Sequence, residues 1–172
     1  MTAPHLGGLD RLLAGVLDDR ALTYARPHEG AYFVTLPGTH KLATRTWLVV
    51  GDHSLLVEAF VVRAPEENHA AFYRNLLERN ARLYGVHFCV DELGDVYLVG
   101  RVPLHAVTVD EVDRLLGCVL TYADESFDAL LELGFAGSIR REWDWRVSRG
   151  ESLTNLQAFA RFADPARRTP PG

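Results

Sequence analysis

The sequence predicts an α+β fold: an antiparallel sheet of about five strands with helices in the order α-β-β-β-α-β-β-α, followed by a C-terminal helical extension. Two observations predict it. Segments with alternating apolar residues come in pairs separated by short loops that contain Gly, Asp or Ser, and strands joined so closely pair antiparallel. Around these pairs, apolar residues recur every three or four positions, as they do on one face of a helix.

The first elements are an N-terminal helix and a strand. The helix should be amphipathic and end near Asp18-Asp19. A strand is expected over roughly Ala31 to Leu36, because Pro37-Gly38 then supplies turn residues. The apolar face of the helix consists of Leu9, Leu12, Leu13, Val16 and Leu17.

The next element is a hairpin whose strands, Leu42 to Val50 and Leu55 to Val62, are joined by a Gly-Asp-His-Ser turn. In the second strand, both the odd-numbered and the even-numbered residues are largely apolar, which is typical of a central strand covered on both sides. The second face needs a partner, either the chain's own C-terminus or another subunit.

A helix is expected from Pro65 to Gly85. Proline is tolerated at a first helical position, and Glu66 and Glu67 complement the helix dipole. Its apolar stripe would consist of Tyr73, Leu76, Leu77, Asn80, Leu83 and Tyr84.

A tight hairpin of Val86–Val90 and Val96–Arg101 follows. A long helix then begins with a capping box, in which Thr108 and Glu111 each satisfy a terminal N–H group, and Gly134 is its expected end. Its apolar face would consist of Val112, Leu115, Leu116, Val119, Leu120, Ala123, Phe127, Leu130 and Leu131.

Four segments carry a resemblance to a known family: Glu66-Glu67-Asn68-His69, Leu76 to Gly85, Gly94 to Gly100 and Asp113-Arg114-Leu115-Leu116. Their sequences resemble those of the YbjN family, whose members are labelled as bacterial sensory transduction regulators. The order of elements resembles that of type III secretion chaperones. The resemblance covers roughly Leu9 to Gly134, and it implies a chaperone-like fold, a dimer, a regulatory role and no catalytic residues.

The C-terminal part is a region of its own. Ser138 to Phe159 resembles the C-terminal extension of actinobacterial members of that family. We therefore divide the chain into a YbjN-like α+β domain, residues 1–136, and a helical extension docked on it, residues 137–172, with disordered last residues. Ser138 to Arg149 is the expected helix of the extension.

Length and composition are those of a globular protein, with 172 residues of which 48% are hydrophobic and 24% charged. No apolar run reaches the length of a membrane span, and the N-terminus lacks the pattern of a signal peptide, so we expect a cytoplasmic protein with no membrane association. Cys89 and Cys118 would be buried small hydrophobic residues, or alternatively a redox pair.

Charge is unevenly distributed. The segment from Gly137 to Gly172 has a balance of +3, the remainder has −8, and the whole chain has −5. An acidic body with a basic tail favours either self-docking or an acidic partner. Nucleic acid is not expected as a partner, because the body has no basic stripe interleaved with aromatic residues.

The sequence contains no recognisable catalytic motif, Gly-rich phosphate loop or Cys-x-x-Cys pair. His87 and Cys89 lie two residues apart on one strand face, which permits a metal or nucleophile site, although an ordinary strand face explains them as well. We therefore predict no catalytic residues, no cofactor and no bound metal. Asn80, on the apolar stripe of its helix, should be a buried amide hydrogen-bonded to nearby backbone, or alternatively a ligand contact at the sheet.

The extension contains two tryptophans among four arginines, and these residue types often anchor protein interfaces. On a helix, Trp143 and Trp145 point about 200° apart, so one can pack on the body, where the arginines meet carboxylates, while the other is exposed. The candidate partner-binding residues are Arg140, Arg141, Trp143, Trp145 and Arg146; intramolecular packing or a dimer contact is the alternative.

The functional hypothesis is a non-enzymatic protein-interaction module with a chaperone-like or regulatory role. It would act as a homodimer and bind an unidentified protein. The alternative hypothesis is a small-molecule sensor that binds a ligand between the sheet and the helices, for which Asn80 and His87 are the polar residues that the sequence offers.

Overall fold

The computed structural model describes residues 3–167, with side chains from Leu6 to Ala166. The expected disorder of the last residues concerns positions outside this range. The principal elements in chain order are α1 (Ala3–Asp19), β1 (Thr23–His28), β2 (Ala31–Pro37), β3 (Ala43–Val50), β4 (Ser54–Val62), α2 (His69–Asn80), β5 (His87–Val90), β6 (Val96–Pro103), α3 (Val109–Arg149) and α4 (Ala160–Ala163).

The strands form one antiparallel sheet in the order β1-β2-β3-β4-β6-β5. This confirms the α+β class, and β4 is a central strand as predicted. The sheet has six strands, however, because β1 was not expected. Five of the six residues of β1 are exposed, and it contains Pro27, so it lacks the apolar alternation by which strands are recognised.

The chain divides into two compact units. One contains the sheet and α1 with the second half of α2 and the first half of α3, residues 1–64 and 75–127. The other is made of residues 65–74 and 128–172. The boundary expected between residues 136 and 137, and the docking of the extension, stay predictions.

The core of the sheet-containing unit lies on one face of the sheet. Alternate residues of β2 to β6 point into it, and the apolar sides of α1 and of residues 109–127 of α3 contribute the rest. Fully buried examples are Leu13, Leu17, Val34, Leu48, Val57, Leu98, Leu115 and Val119.

One carboxylate ties α1 to the first hairpin. Asp10 accepts hydrogen bonds from the backbone N–H of Gly30 (2.8 Å), the hydroxyl of Tyr32 (2.8 Å) and the guanidinium of Arg26 (2.6 Å). Burial alone would raise the pKa of Asp10, but these hydrogen bonds favour the charged form and hold the pKa below its usual value.

Helix α2 is shorter than expected, and the prediction that it begins at Pro65 is wrong. The backbone N–H groups of Glu66 and Glu67 donate to the carbonyl of Gly134, at 2.9 and 3.2 Å, and Asn68 has a φ of 53°, so helical geometry begins only afterwards. The helix also ends at Asn80. Part of the predicted stripe is therefore displaced, since Leu77 is 70% exposed and Tyr84 is half-exposed, while Phe72 is buried.

Gly134 does not end α3. The helix bends at Phe135, whose φ and ψ are −140° and 18°, and continues to Arg149, so Ser138–Arg149 is helical as predicted. The bend is explained by a contact with a segment distant in sequence, because the carbonyl of Gly134 accepts from the N–H groups of Glu66 and Glu67. A Cβ atom at Gly134 would lie 2.9 Å from Pro65 and 3.0 Å from Phe72, so glycine is required here for close packing. At the other end of the helix, the Thr108 hydroxyl accepts from the N–H of Glu111 at 3.2 Å, which is one half of the predicted capping box.

The prediction of two buried cysteines is wrong for Cys89, which is exposed on β5, whereas Cys118 is half-buried. β5 is an edge strand of four residues, and only its Phe88 points into the core. Of the helices in residues 3–167, none combines the length and the apolar character needed to span a bilayer.

Candidate interaction surfaces

The face of the sheet opposite the core is partly open. Its central part is an aromatic groove, which we define by Phe33 on β2, Trp47 on β3, Phe60 on β4 and Tyr97 on β6. These residues share one face because each alternates with a buried neighbour and because the register pairs Phe33 with Trp47 and Phe60 with Tyr97.

The rings of the groove are in contact across strands. The centroids of Phe33 and Trp47 lie 4.7 Å apart, and those of Phe60 and Tyr97 lie 5.5 Å apart in an edge-to-face arrangement. The groove encloses about 550 Å³, and Lys41, Ala43, Arg45 and Glu58 complete its lining.

The groove overturns part of a prediction. The second face of β4 was expected to be covered, but Leu56 and Glu58 are only half-buried and Phe60 is 37% exposed. Apolar residues do occupy both faces of the strand, which is central in the sheet as predicted. In the described residues, helices of the same unit bury only one of these faces.

Lys41 lies at one end of the groove and is the only lysine of the chain. Its ammonium nitrogen is 5.4 Å from the ring centroid of Phe60 and 5.0 Å from that of Phe127. Burial lowers the pKa of Lys41, and the neighbouring charge of Arg45 lowers it further.

The loop that carries Lys41 is held by a carboxylate. Asp124 of α3 accepts hydrogen bonds from the backbone N–H groups of Thr39, His40 and Lys41, at 2.8, 2.8 and 2.9 Å. Burial would raise the pKa of Asp124, but these three bonds lower it below its usual value. Position 38 requires glycine for this contact, because a Cβ atom there would lie 2.4 Å from the Asp124 oxygen.

Asn80 engages the backbone of β5. Its amide nitrogen donates to the carbonyl of Phe88 at 3.0 Å, and its amide oxygen accepts from the N–H of Phe88 at 2.7 Å. An antiparallel ladder uses the backbone groups of alternate residues, so these two groups of Phe88 point away from β6, toward the free edge of the sheet. The side chain thus has the predicted backbone partners, while a ligand contact by Asn80 stays a prediction.

The two tryptophans of the extension differ in exposure. Trp143 is 4% exposed and Trp145 is 45% exposed. The exposed ring has Arg149 at 5.0 Å from its centroid, and it lines a shallow concavity with Ser138, Arg141 and Glu142. Of the five candidate partner-binding residues, Trp145 and Arg141 therefore face solvent together, whereas Trp143 belongs to a core.

The arginines of the extension have partners within their own unit. Arg146 donates to Glu142 at 2.6 Å, and Arg141 lies 3.9 Å from Glu66. The Arg140 guanidinium lies 5.5 Å from the ring centroid of Phe162. Exposed pairs of this kind contribute about 0–1 kcal/mol each.

His87 and Cys89 lie on the open face of the sheet at its β5 edge, and both are exposed. Within residues 3–167, no three His, Cys, Asp or Glu side chains converge in a metal-binding arrangement.

Sequence reasoning did not single out the aromatic groove. Its four rings come from four different strands, and only the strand order makes them neighbours. One signal was available: the chain has a single lysine among its 18 basic residues, and this lysine directly precedes a strand that contains Trp47.

The comparisons with known proteins agree with this architecture. The YbjN family model, described as "Putative bacterial sensory transduction regulator", matches residues 10–132. The chain is 55% identical over 157 residues to the uncharacterized protein Rv0487 of Mycobacterium tuberculosis (strain ATCC 25618 / H37Rv), an alignment covering 88% of this chain and 86% of that protein. It is 56% identical over 131 residues to the uncharacterized protein ML2442 of Mycobacterium leprae (strain TN), with coverages of 76% and 71%.

Two solved structures share the fold. A chain of the ExsC-ExsE complex superimposes with a TM-score of 0.54 at 22% identity, covering 73% of this chain and 95% of that chain. A chain of the HopA1-SchA chaperone-effector complex gives 0.53 at 12% identity, with coverages of 72% and 94%. The predicted resemblance to the fold of type III secretion chaperones is thereby confirmed.

Proposed function

The chain belongs to the YbjN family, and we propose that it is a non-enzymatic protein-interaction module with a chaperone-like or regulatory role, acting in the cytoplasm as a homodimer. The fold supports the protein-interaction role, because two structures that share it were solved as complexes of two proteins. The absence of a recognised catalytic motif in the sequence supports the non-enzymatic character.

The open face of the sheet is the observation that carries the proposal. Aromatic side chains are enriched where proteins bind each other, and partly exposed apolar surface gains free energy when a partner covers it, at about 25 cal/mol per Å². The groove places four such side chains side by side on a rigid sheet.

A homodimer would cover this apolar surface by a closed two-fold contact. We expect sedimentation of the full-length protein at about 50 μM, well above micromolar dissociation constants, to give a dimer. Phe60→Glu should shift it toward monomer, because the new charge would be buried in an apolar contact. Leu77→Glu is the matched control, since Leu77 is an exposed apolar residue on α2.

A strict monomer at that concentration would remove the homodimer from the proposal. Equal dimerisation of the parent and Phe60→Glu would place the dimer contact elsewhere on the molecule. Elemental analysis tests the expected absence of a bound metal separately: stoichiometric zinc in protein purified without chelators would contradict it, and His87 and Cys89 would be the first residues to examine.

A second candidate function is a small-molecule sensor. One observation favours it, a concavity of about 470 Å³ in the sheet-containing unit where β5 meets α2 and α3. Its lining combines both signs of charge with apolar side chains: Asn75, Glu78, Arg79, Arg82, Leu83, Phe88, Tyr122 and Glu125. A thermal-shift screen of charged metabolites tests this function. If no metabolite raises the melting temperature in a way that depends on Arg79 or Arg82, the sensor function is ruled out.

A further inference from the structure

We propose that the end of the aromatic groove marked by Lys41 and Arg45 binds an acidic segment of a partner protein, with a carboxylate against these two cations and an adjacent apolar side chain against the rings. This inference rests on the proposed protein-interaction function, since it names the chemistry of a partner for the open face. It does not depend on the homodimer, with which an acidic segment at this end of the groove would compete for Phe60.

Charge is the first argument. Lys41 and Arg45 line the same groove, and Glu58 is the single carboxylate of that lining. Among the described residues, the ion pairs include neither Lys41 nor Arg45. The groove is therefore a locally cationic place on a chain whose net charge is −5, and a carboxylate is the group that complements it.

Desolvation is the second argument. Lys41 is partly buried between the rings of Phe60 and Phe127, so its charge has given up part of its hydration. An arriving carboxylate would meet that charge in surroundings of low dielectric, where an ion pair is stronger than at an open surface. Arg45 adds a planar donor, which suits the two oxygens of a carboxylate.

Preorganisation is the third argument. Three hydrogen bonds that the backbone N–H groups of Thr39, His40 and Lys41 donate to Asp124 fix the backbone of the loop. The side chain of Lys41 thus starts from a fixed backbone, and its ammonium group already lies against the rings of Phe60 and Phe127, which lowers the entropy lost on binding. The rings are fixed by the strands that carry them, so the apolar half of the site is also preformed.

An acidic segment fits this end of the groove better than the same groove of a second copy. In a two-fold contact, each copy presents the same surface to the other, with two cations and one carboxylate on each side. Such a contact would leave an excess of positive charge, which an acidic segment neutralises.

The test is selection from a displayed library of random dodecapeptides on the immobilised full-length protein. The library is first depleted on the double variant Lys41→Gln/Arg45→Gln, which keeps the side-chain sizes similar. We expect the enriched peptides to carry Asp or Glu next to an aromatic or aliphatic residue. The most enriched peptide is then synthesised and its dissociation constant measured by fluorescence polarisation.

We expect Lys41→Gln and Arg45→Gln each to raise the dissociation constant of that peptide about tenfold, as for loss of one charge-assisted hydrogen bond. Binding should also weaken with added salt. Arg101→Gln is the matched control, because Arg101 is an exposed arginine on β6 outside the groove, and it should leave the constant unchanged. Circular dichroism melts confirm that each variant is folded.

Three results would overturn the inference: enrichment of peptides without acidic residues, equal binding to the double variant, or no enrichment at all. Sedimentation separates this failure from failure of the proposed function. A dimer that depends on Phe60, with no acidic peptide selected, means that a second copy occupies the groove. A monomer that binds acidic peptides through Lys41 removes the homodimer and keeps the inference.

Discussion

At the scale of single residues, the carboxylates of Asp10 and Asp124 have a similar role, since each accepts hydrogen bonds from residues distant in sequence. Asp124 accepts from three backbone N–H groups, whereas Asp10 accepts from one backbone N–H, a tyrosine hydroxyl and a guanidinium, and each joins a helix to a segment beside or within the sheet. Neither was singled out from the sequence, because an Asp in an amphipathic helix has no pattern that distinguishes a solvated residue from one bonded to a distant loop. Asn80 was found because it interrupts an apolar stripe.

The first residue-scale prediction concerns Asp10. Asp10→Asn removes the negative charge that accepts hydrogen bonds from Arg26, Gly30 and Tyr32. We therefore expect it to lower the free energy of unfolding at pH 7 by about 1–3 kcal/mol. Because the folded pKa of Asp10 lies below its unfolded value, its contribution is fully present above the unfolded pKa and is lost as the pH falls through the folded one.

Urea unfolding of the parent and of Asp10→Asn at pH 7 and pH 3 measures this contribution. The two proteins should differ less at pH 3. Asp19→Asn is the control, since Asp19 is exposed at the end of α1. An equal difference at both pH values would show that the charge of Asp10 is not what the three groups stabilise.

The second residue-scale prediction concerns Lys41, whose pKa should lie below the ordinary value of 10.5. Reductive methylation with ¹³C-formaldehyde labels this single lysine, and its resonance can be titrated by NMR. Arg45→Gln should raise the midpoint, because Arg45 disfavours the charged form. Since the folded pKa is depressed, folding stability should rise with pH between the folded and the unfolded pKa. A midpoint at or above the ordinary value would contradict the described environment.

At the scale of elements, prediction succeeded where periodicity and caps were strong. The central hairpin, the β5–β6 hairpin and the start of α3 were predicted within a few residues, since each has alternation or a capping residue of its own. β1 was missed because it lacks apolar alternation. The misses at the start of α2 and at Gly134 have a common cause, since the carbonyl of Gly134 accepts from the N–H groups of Glu66 and Glu67, a contact between segments far apart in sequence. Local patterns do not contain such contacts.

The first element-scale prediction concerns the edge of the sheet. Asn80→Ala leaves the N–H and C=O of Phe88 without their side-chain partner, so we expect a loss of about 1–3 kcal/mol in unfolding free energy. It also frees an edge strand, which favours pairing with other chains, so light scattering should rise with protein concentration.

Asn75→Ala is the control for this variant, because Asn75 lies on the same helix and its side chain accepts from Arg79 at 2.8 Å. If both variants scatter light equally, Asn80 does not protect the edge.

The second element-scale prediction concerns the extension. Trp143→Ala should cost about 3–5 kcal/mol in unfolding free energy, because it removes a buried aromatic side chain. Trp145→Ala should change it by less than about 0.5 kcal/mol, as for an exposed position. Denaturant unfolding of both variants measures this. If both match the parent, the extension does not contribute to the cooperative fold.

At the scale of the whole molecule, the fold class and the family followed from the sequence, because they depend on element order and on continuous motifs. The candidate site did not, because the groove exists only once four strands are aligned in register. The partner-binding role of the extension stays a prediction; Trp145 is exposed beside Arg141 and Arg149, and sequence could not decide which tryptophan is buried. That choice depends on the rotation of α3 beyond its bend at Phe135.

The proposed homodimer has a consequence for the whole molecule. If dissociation precedes unfolding, stability is linked to protein concentration, and the melting temperature should rise as the protein is concentrated. Differential scanning fluorimetry over a hundredfold concentration range measures this. The same series on Phe60→Glu should be flat, and a flat series for the parent would contradict a dimer that is coupled to folding.

The contact of Asn80 with the β5 edge bears on how a partner could bind under the proposed function. Strand addition recognises mainly backbone, which every polypeptide carries, so a sheet open at its edge is permissive toward sequence. Here the amide of Asn80 already occupies the free backbone groups of Phe88, and the opposite edge, β1, contains Pro27 and an irregular register. Under the proposed function, recognition would fall to the broad face of the sheet, where only side chains are displayed. Selectivity would then depend on the side chains of the partner rather than on its backbone.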